Sequence, residues 1–454
     1  MSFPRYPEYK DSGVEWLGEV PAHWETVRLK TVSTCNDEVL PESTEPDYEI
    51  GYVEISDVSA GLGIVSSSLM PFAAAPSRAR RIVRHGDVIV STVRTYLKAI
   101  ASIQAPPDNM VVSTGFAVIR PHVVDTRYAG YLFQSQFLID EVIARSVGVS
   151  YPAINASELM RLKIPLPGAL EQSVIGAFLD RETDKIDALV AEQQNLIALL
   201  KEKRQALISH AVTKGLDPDV PMRDSGVAWL GEVPAHWDVK ALKNVISRIE
   251  SGVSVNAIDT PAEEGEIGVL KTSCVYRGWF DPAENKAVLP EEYERVACPV
   301  TAGTLIVSRM NTPDLVGAAG MVGERHPDLF LPDRLWQVHL ADAHVAFIHY
   351  WTQSPLYRAQ VQQVCAGTSS SMQNLAQDQF RAFTVALPPV REQTAIAAFL
   401  DREIARIDAL VTQSDSTISL LQERRTALIS AAVTGKIDVR HLAAAATDPT
   451  PEPA

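Results

Sequence analysis

Four groups of residues have the types that chemistry needs, and each has a structural use to weigh against it. "TGK", beginning at Thr434, carries the glycine and lysine of a phosphate-binding loop. It lacks the upstream glycine of G-x-x-x-x-G-K-[ST], so it reads as a helix end and ATP hydrolysis is not expected. "LPPV", Leu387 to Val390, has the paired prolines of a motif used for methyl transfer to adenine. The polar residue that would hold the amino group and the aromatic that would stack on the base are both missing. "IPLPGALEQ" and "VALPPVREQ" read more simply as extended connectors into helices. Of the ten histidines, none forms H-E-x-x-H; His23 and His236 each precede a tryptophan, Trp24 or Trp237, and read as packing residues. Cys35, Cys274, Cys298 and Cys365 have no C-x-x-C spacing, which argues against zinc and against a disulfide framework. No G-x-G-x-x-G follows a strand-like run. The sequence therefore offers no catalytic residue and no metal site.

The bulk properties fit a soluble globular chain of two to four domains, with 454 residues, 46% of them hydrophobic and 21% charged. No apolar run reaches the length of a membrane span. "MSFPRYPEYK" has no apolar signal core, so a reducing cytoplasm is the expected location. The net charge of −15 does not exclude nucleic acid, because a local basic patch suffices for that. Charge is sharply sorted in the first half. Thr31 to Ser77 holds eight acids and no Lys or Arg, whereas Arg78 to Lys98 holds six cations against Asp87 alone. The alternative for both runs is a solvated surface.

What must position any such chemistry is written twice. "DSGVEWLGEVPAHW" (Asp11 to Trp24) recurs as "DSGVAWLGEVPAHW" (Asp224 to Trp237), with Glu15/Ala228 the sole difference. "FLDRETDKIDALV" from Phe178 recurs as "FLDREIARIDALV" from Phe399, and "ALISHAVT" from Ala206 recurs as "ALISAAVT" from Ala427. Between these anchors the halves diverge but align: "GDVIVSTVRT" with "GTLIVSRMNT", "YLFQSQFL" with "YWTQSPLY", "SYPAI" with "SMQNL". The period is too long for a solenoid and indicates a duplicated domain pair.

The faithful segments are helices. Residues 171–212 contain no proline and one glycine. A seam runs through Ile186, Leu189, Leu196, Leu200 and Leu207, and again through Ile407, Leu410, Leu421 and Leu428. Polar breaks fall at Gln193 and Ser414, and at Lys203 and Arg424. Matching seams favour an antiparallel pair. The variable modules read as mixed and β-rich, with strands at "YVEISDV", "DVIVSTV" and "TGFAVIRP" and a helix over "RYAGYLFQSQFLIDEVIARS".

Together these motifs resemble the specificity subunits of type I restriction–modification systems, over nearly the whole chain. The resemblance implies an α+β protein: two mixed β-rich target-recognition domains joined by two long helices packed as an antiparallel coiled coil, with quasi-twofold internal symmetry. The expected division is residues 1–170, first recognition domain; 171–216, central helical spacer; 217–391, second recognition domain; 392–438, C-terminal helical spacer; 439–454, disordered tail. The implied function is non-catalytic recognition of a bipartite double-stranded DNA site. Two methyltransferase subunits and the restriction–translocation subunits would be the partners, and they would hold S-adenosylmethionine and ATP/Mg. A stand-alone DNA-binding regulator or an antirestriction decoy of the same architecture stays open.

On that implication, Arg94, Tyr96 and Lys98 in the first module, with Arg309 and Asn311 in the second, are expected near DNA. They follow "GDVIVS" and "GTLIVS", and loops after strands often carry binding residues. The loops at Ser150–Tyr151 and Ser371–Met372 are the second candidates. The acidity preceding the basic stretch leaves the DNA-facing surface of the first module open.

Overall fold

The computed structural model describes residues 3–365 and 372–441. Two helices dominate it, Ala169–Lys214 and Val390–Val433, of 46 and 44 residues. At 1.5 Å per residue they are ~70 and ~65 Å long. Two compact units form, Met1–Gln193 with Asp415–Ala454, and Gln194–Ser414. The division expected from sequence gave each helix its own segment. Instead the cut falls inside both helices, because each unit takes the first half of one and the second half of the other.

In the first unit, a four-stranded antiparallel sheet runs in the order Ile100–Ser102, Val88–Ser91, Phe116–Pro121, Ser33–Cys35. Val88 and Val90 face the helix-side core with Tyr128, Phe133, Ile175 and Phe178. Ile89 faces a second core with Val53, Val112 and Phe116. Val88 to Val90 are continuously apolar because the strand is covered on both faces. A second sheet orders Ser68–Pro71, Glu49–Val53, Met110–Ser113, Ala79–Ile82.

The repeated segment is a hairpin, Tyr9–Asp11 against Glu19–Pro21, and its end docks on the helices. Trp24 is fully buried, and His23 Nε2 lies 2.9 Å from Glu171 in the first turn of the central helix. Gly435, just past the C-terminal helix, has φ +73°, a conformation that favours glycine, and an added Cβ would collide with Pro21. Tyr128 Oη donates to the carbonyls of Pro165, before the central helix, and Val433, at the end of the other. Further along, Arg425 reaches Asp187 at 3.0 Å. The two helices are therefore antiparallel.

The second unit repeats these devices. Its hairpin is Met222–Asp224 against Glu232–Pro234. Glu392 accepts from Trp237 Nε1 at 3.0 Å and pairs with His236 at 2.7 Å. Gly215, φ +81°, lies under Trp237. Arg204 reaches Asp408 at 3.6 Å. Residues 187 and 408 are duplicates, as are 204 and 425, so one ion pair is made twice, once in each unit. The sheet Ile246–Ser251, Leu335–Leu340, Leu305–Ser308, Ala319–Met321 matches the first unit's antiparallel sheet.

The connectors end in "EQ" for a physical reason. The Glu holds the hairpin histidine, while the Gln is buried and bonds twice. Gln172 donates to the Pro167 carbonyl at 2.8 Å and accepts from the Asp125 N–H at 2.8 Å. Gln393 does the same with Pro388 and His344, both at 2.8 Å. Each Gln thus satisfies a backbone acceptor and a donor at the joint between module and helix. Gln393→Leu keeps the volume and orphans both groups, which should lower stability to denaturant by about 2–4 kcal/mol. A loss under about 1 kcal/mol would show that water or relaxation replaces these bonds.

Two sequence expectations need correction here. Ile186, Leu200 and Ile407 are buried as expected, but Leu189, Leu196 and Leu410 are exposed. The least exposed stripe follows steps of three and four through Leu179, Thr183, Ile186, Val190, Gln193, Ile197 and Leu200, so polar Thr183 and Gln193 hold seam positions among the apolar ones. Lys203 and Arg424 are also exposed; the seam's charged layer is one residue on, at Arg204 and Arg425. Of the disordered tail expected over residues 439–454, residues 439–441 belong to the fold, and 442–454 lie outside the described residues. Val439 is buried, and Arg440 lies 4.8 Å over the Tyr6 ring.

Candidate nucleic-acid interface

In the first unit, the chain leaving Val88–Ser91 is pinned at every step. Thr92 N–H and Oγ1 both donate to the Gly115 carbonyl at 2.8 Å. Val93 bridges to Ala153, and Arg94 N–H donates to the Pro152 carbonyl at 2.7 Å. One 3-10 turn follows, Thr95–Leu97, and the residues bracketing it are Arg94 at φ 51° and Lys98 at φ 52°. Left-handed backbone at a non-glycine residue costs roughly 1–2 kcal/mol. It persists where surrounding bonds dictate it, and such strain gathers at working sites. Thr95 is buried, with Oγ1 2.8 Å from Ser146 Oγ. Arg94 and Tyr96 therefore point away from the body and are exposed.

The second loop of the unit packs beside the first. The Arg94 guanidinium sits 4.7 Å over the Tyr151 ring. Tyr96, Leu97, Val149 and Tyr151 are exposed around it. Arg94, Tyr96, Lys98, Ser150 and Tyr151 are thus brought onto two tethered loops, forming a surface of cations among exposed rings. Guanidinium groups can take phosphate or guanine edges, and aromatic and apolar groups can take base faces and thymine methyls.

The second unit builds the same joint differently. Met310–Asn311 pairs with Gln373–Asn374, the duplicate of the Val93 to Ala153 bridge. Asn311 aligns with Arg94 but is not a surface residue: it is 7% exposed. Its amide donates to Tyr276 Oη at 2.8 Å and Ser308 Oγ at 3.2 Å, and its carbonyl caps the Thr312 N–H. Asn311 therefore holds the loop and does not present itself to a ligand. Arg309 is half-buried, with its backbone bonded to Arg334 and Leu375. Met372 is exposed, and Ser371 lies outside the described residues. Beside Asn311, the segment after Tyr276 presents two residues the sequence reading missed, Arg277 and the exposed Trp279, 6.0 Å apart. "YRGW" was the available signal: an Arg, an aromatic and a glycine without a core role.

The sorted charge runs of the first module pair with each other. Arg78 bonds Glu54 at 2.7 Å and Arg84 bonds Glu38 at 2.7 Å. Arg120 makes two bonds of 2.8 Å to the buried Asp87 and a third to Glu38. Hydrogen bonds from Arg84 and Arg120 hold the Glu38 carboxyl down at about 2. Arg78 and Arg84 are therefore neutralised by the acidic run, while Arg80 stacks over the Phe72 ring; at the other end of the basic stretch, Arg94 and Lys98 belong to the loop surface. Burial pushes the Cys35 and Cys298 thiols up to about 11, far from the reactive range.

Comparison with known proteins bears on this arrangement. Residues 21–198 match the family model of the type I restriction modification DNA specificity domain. The chain is 24% identical over 328 residues to the type I restriction enzyme EcoKI specificity subunit of Escherichia coli K12, covering 70% of this chain and 68% of that one. It is 24% identical over 238 residues to a MjaX specificity subunit of Methanocaldococcus jannaschii, covering 50% and 54%. In fold it resembles a chain from a study of assembly and conformational transition of the type I R-M system, with TM-score 0.71, 22% identity, and 91% and 98% coverage. It also resembles the HsdS subunit of Thermoanaerobacter tengcongensis, with TM-score 0.50, 23% identity, and 92% and 98% coverage.

Proposed function

The chain belongs to the specificity-subunit family of type I restriction–modification systems, and on that premise we propose that it reads a two-part DNA site for such a complex. Each module takes one half-site through its tethered loop pair, with unread base pairs between. The observation that carries this reading is the contrast within the chain. Hairpin, Glu–His contact, buried Gln and helix ion pair are made twice alike, whereas the loop surfaces carry different side chains: Arg94, Tyr96 and Tyr151 in one, Arg277, Trp279 and Met372 in the other. A constant frame with two different faces suits two base sequences read by one scaffold.

The parts written twice suit two copies of one partner, since a repeated surface can meet identical subunits equivalently. Those partners are methyltransferase subunits, with restriction–translocation subunits joining them. Leu189, Leu196 and Leu410, left exposed on the helices, suit such a dock. S-adenosylmethionine and ATP/Mg belong to the partners, and this chain is non-catalytic and works in the cytoplasm. A stand-alone regulator would have no need of the duplicated dock. Purification through a tag on this chain, expressed from its own locus, should bring down a methyltransferase chain, and the chain alone should transfer no methyl group. Recovery of the chain without any such subunit would count against the reading.

A further inference from the structure

The tripeptide "RLK" occurs twice in the first unit, at Arg28–Lys30 and Arg161–Lys163. The two copies meet. Strand Glu25–Arg28 pairs antiparallel with Lys163–Leu166, placing Arg28 opposite Lys163, and Leu29 N–H donates to the Leu162 carbonyl at 2.8 Å. Leu29 and Leu162 are buried, 2% and 0% exposed. With these leucines inward, the four flanking cations, Arg28, Lys30, Arg161 and Lys163, are exposed. With Arg145 and the hairpin loop from Gly13 to Trp16 they line a groove of about 440 Å³. Five cations face one carboxylate, Glu15. Among the described residues Arg145 and Arg161 have helix-neighbour partners, Glu141 and Glu158, while Arg28, Lys30 and Lys163 have no carboxylate within ion-pair distance.

The second unit is an internal control. There the positions opposite one another are Ala241 and Thr384, in place of Arg28 and Lys163. The fourteen-residue hairpin differs between copies at one position, Glu15 against Ala228, and Glu15 lines this groove. A surface meant for two identical subunits would be written twice, whereas in this groove Lys30 keeps a charged counterpart, Lys243, but Arg28 and Lys163 do not. It also adjoins the loop surface: Arg145 precedes Ser146, whose hydroxyl meets Thr95 at 2.8 Å within the Arg94–Lys98 turn.

We infer that this groove is a phosphate clamp for the DNA backbone, held by the first module alone and separate from the loops that read bases. The inference rests on the proposed DNA-binding function and gives it a second, sequence-independent contact on one side only. Phosphate contacts fix register and carry most of the salt dependence of binding.

The test uses the full-length chain, a mixed-sequence DNA duplex, and a series of salt concentrations. Arg28→Ala with Lys163→Thr gives the first module the second module's residues at exposed positions. Wild type should bind with a steep salt dependence. The double variant should flatten the slope of log affinity against log salt by about two, roughly a tenfold smaller loss between ~50 and ~200 mM. Arg28→Lys should keep the wild-type slope, and unchanged thermal melting would confirm that the variants are folded. A double variant with wild-type slope and affinity overturns the clamp while leaving the loops as readers. A variant that binds DNA normally but no longer co-purifies with a protein subunit overturns it in favour of a protein dock. If wild type itself binds no duplex at all, the proposed function fails first.

Discussion

Replacing Lys98 by glycine should leave the protein as stable or more so, and make it a weaker DNA binder. Lys98 and Arg94 hold left-handed backbone at the two ends of one 3-10 turn. Glycine relieves roughly 1–2 kcal/mol of that strain and gives back about 0.5–1 kcal/mol in unfolded-state entropy, for a gain of up to about 1.5 kcal/mol. At Arg94 the stacking over Tyr151 is also lost, about 0.5–1 kcal/mol, so its stability change should be near zero. Binding should move the other way. If Arg94 reads a base, its loss costs ~1–3 kcal/mol and relaxes one position of the site; if Lys98 meets a phosphate, all sequences weaken alike. Together they should weaken binding roughly 10- to 1000-fold at fixed salt. Denaturation midpoints and affinities of the two glycine variants check this. Reduced stability with unchanged affinity would make the turn a structural element only.

A matched insertion should change the gap in the recognised sequence and nothing else. Four residues placed after Gln193 and four after Ser414 fall where the unit boundary crosses each helix. Asp187 with Arg425 and Arg204 with Asp408 then stay together, because each pair lies wholly within one unit. Each helix gains ~6 Å. At ~3.4 Å per base pair, the unread spacer should lengthen by one or two base pairs while both half-sequences persist. An insertion near Asn195 alone should do less, since it shifts one helix against the other and opposes the paired layers. Half-sites that change while the spacer stays fixed would show that the helices do not set it.

The frame of this protein was legible because it is written twice. Identity between copies picked out the hairpins, the connectors and both long helices without any knowledge of packing. The helix seam was only partly legible: the polar layer at Gln193 and Ser414 was readable from the matching breaks, but its other occupants include Thr183 and Arg204, which hydropathy patterns pass over. The charge runs misled for a related reason. Sequence shows that Arg84 is basic and Glu38 acidic, but not that a strand register sets them against each other at 2.7 Å. The clamp cations are the converse case: Arg28 and Lys163 are far apart in sequence, and only the pairing of two short strands makes them neighbours. Asn311 aligns with Arg94 but is not exposed like it, a difference alignment could not show, because the nearby Tyr276 hydroxyl draws its amide inward. In the first module the expected residues do meet on one surface; in the second the missed pair, Arg277 and Trp279, comes from a segment with no aligned counterpart among the quoted motifs.

The claim that two different modules read two halves of one DNA site is tested most directly by mapping modified adenines in cells. The chain would be expressed with the subunits that co-purify with it, before and after the segment between Trp24 and the first connector is replaced by the corresponding segment of another specificity subunit. The account predicts that one half of the methylated site changes while the other half and the spacer length stay as they were. Loss or alteration of both halves together, or a site unaffected by the exchange, would contradict it.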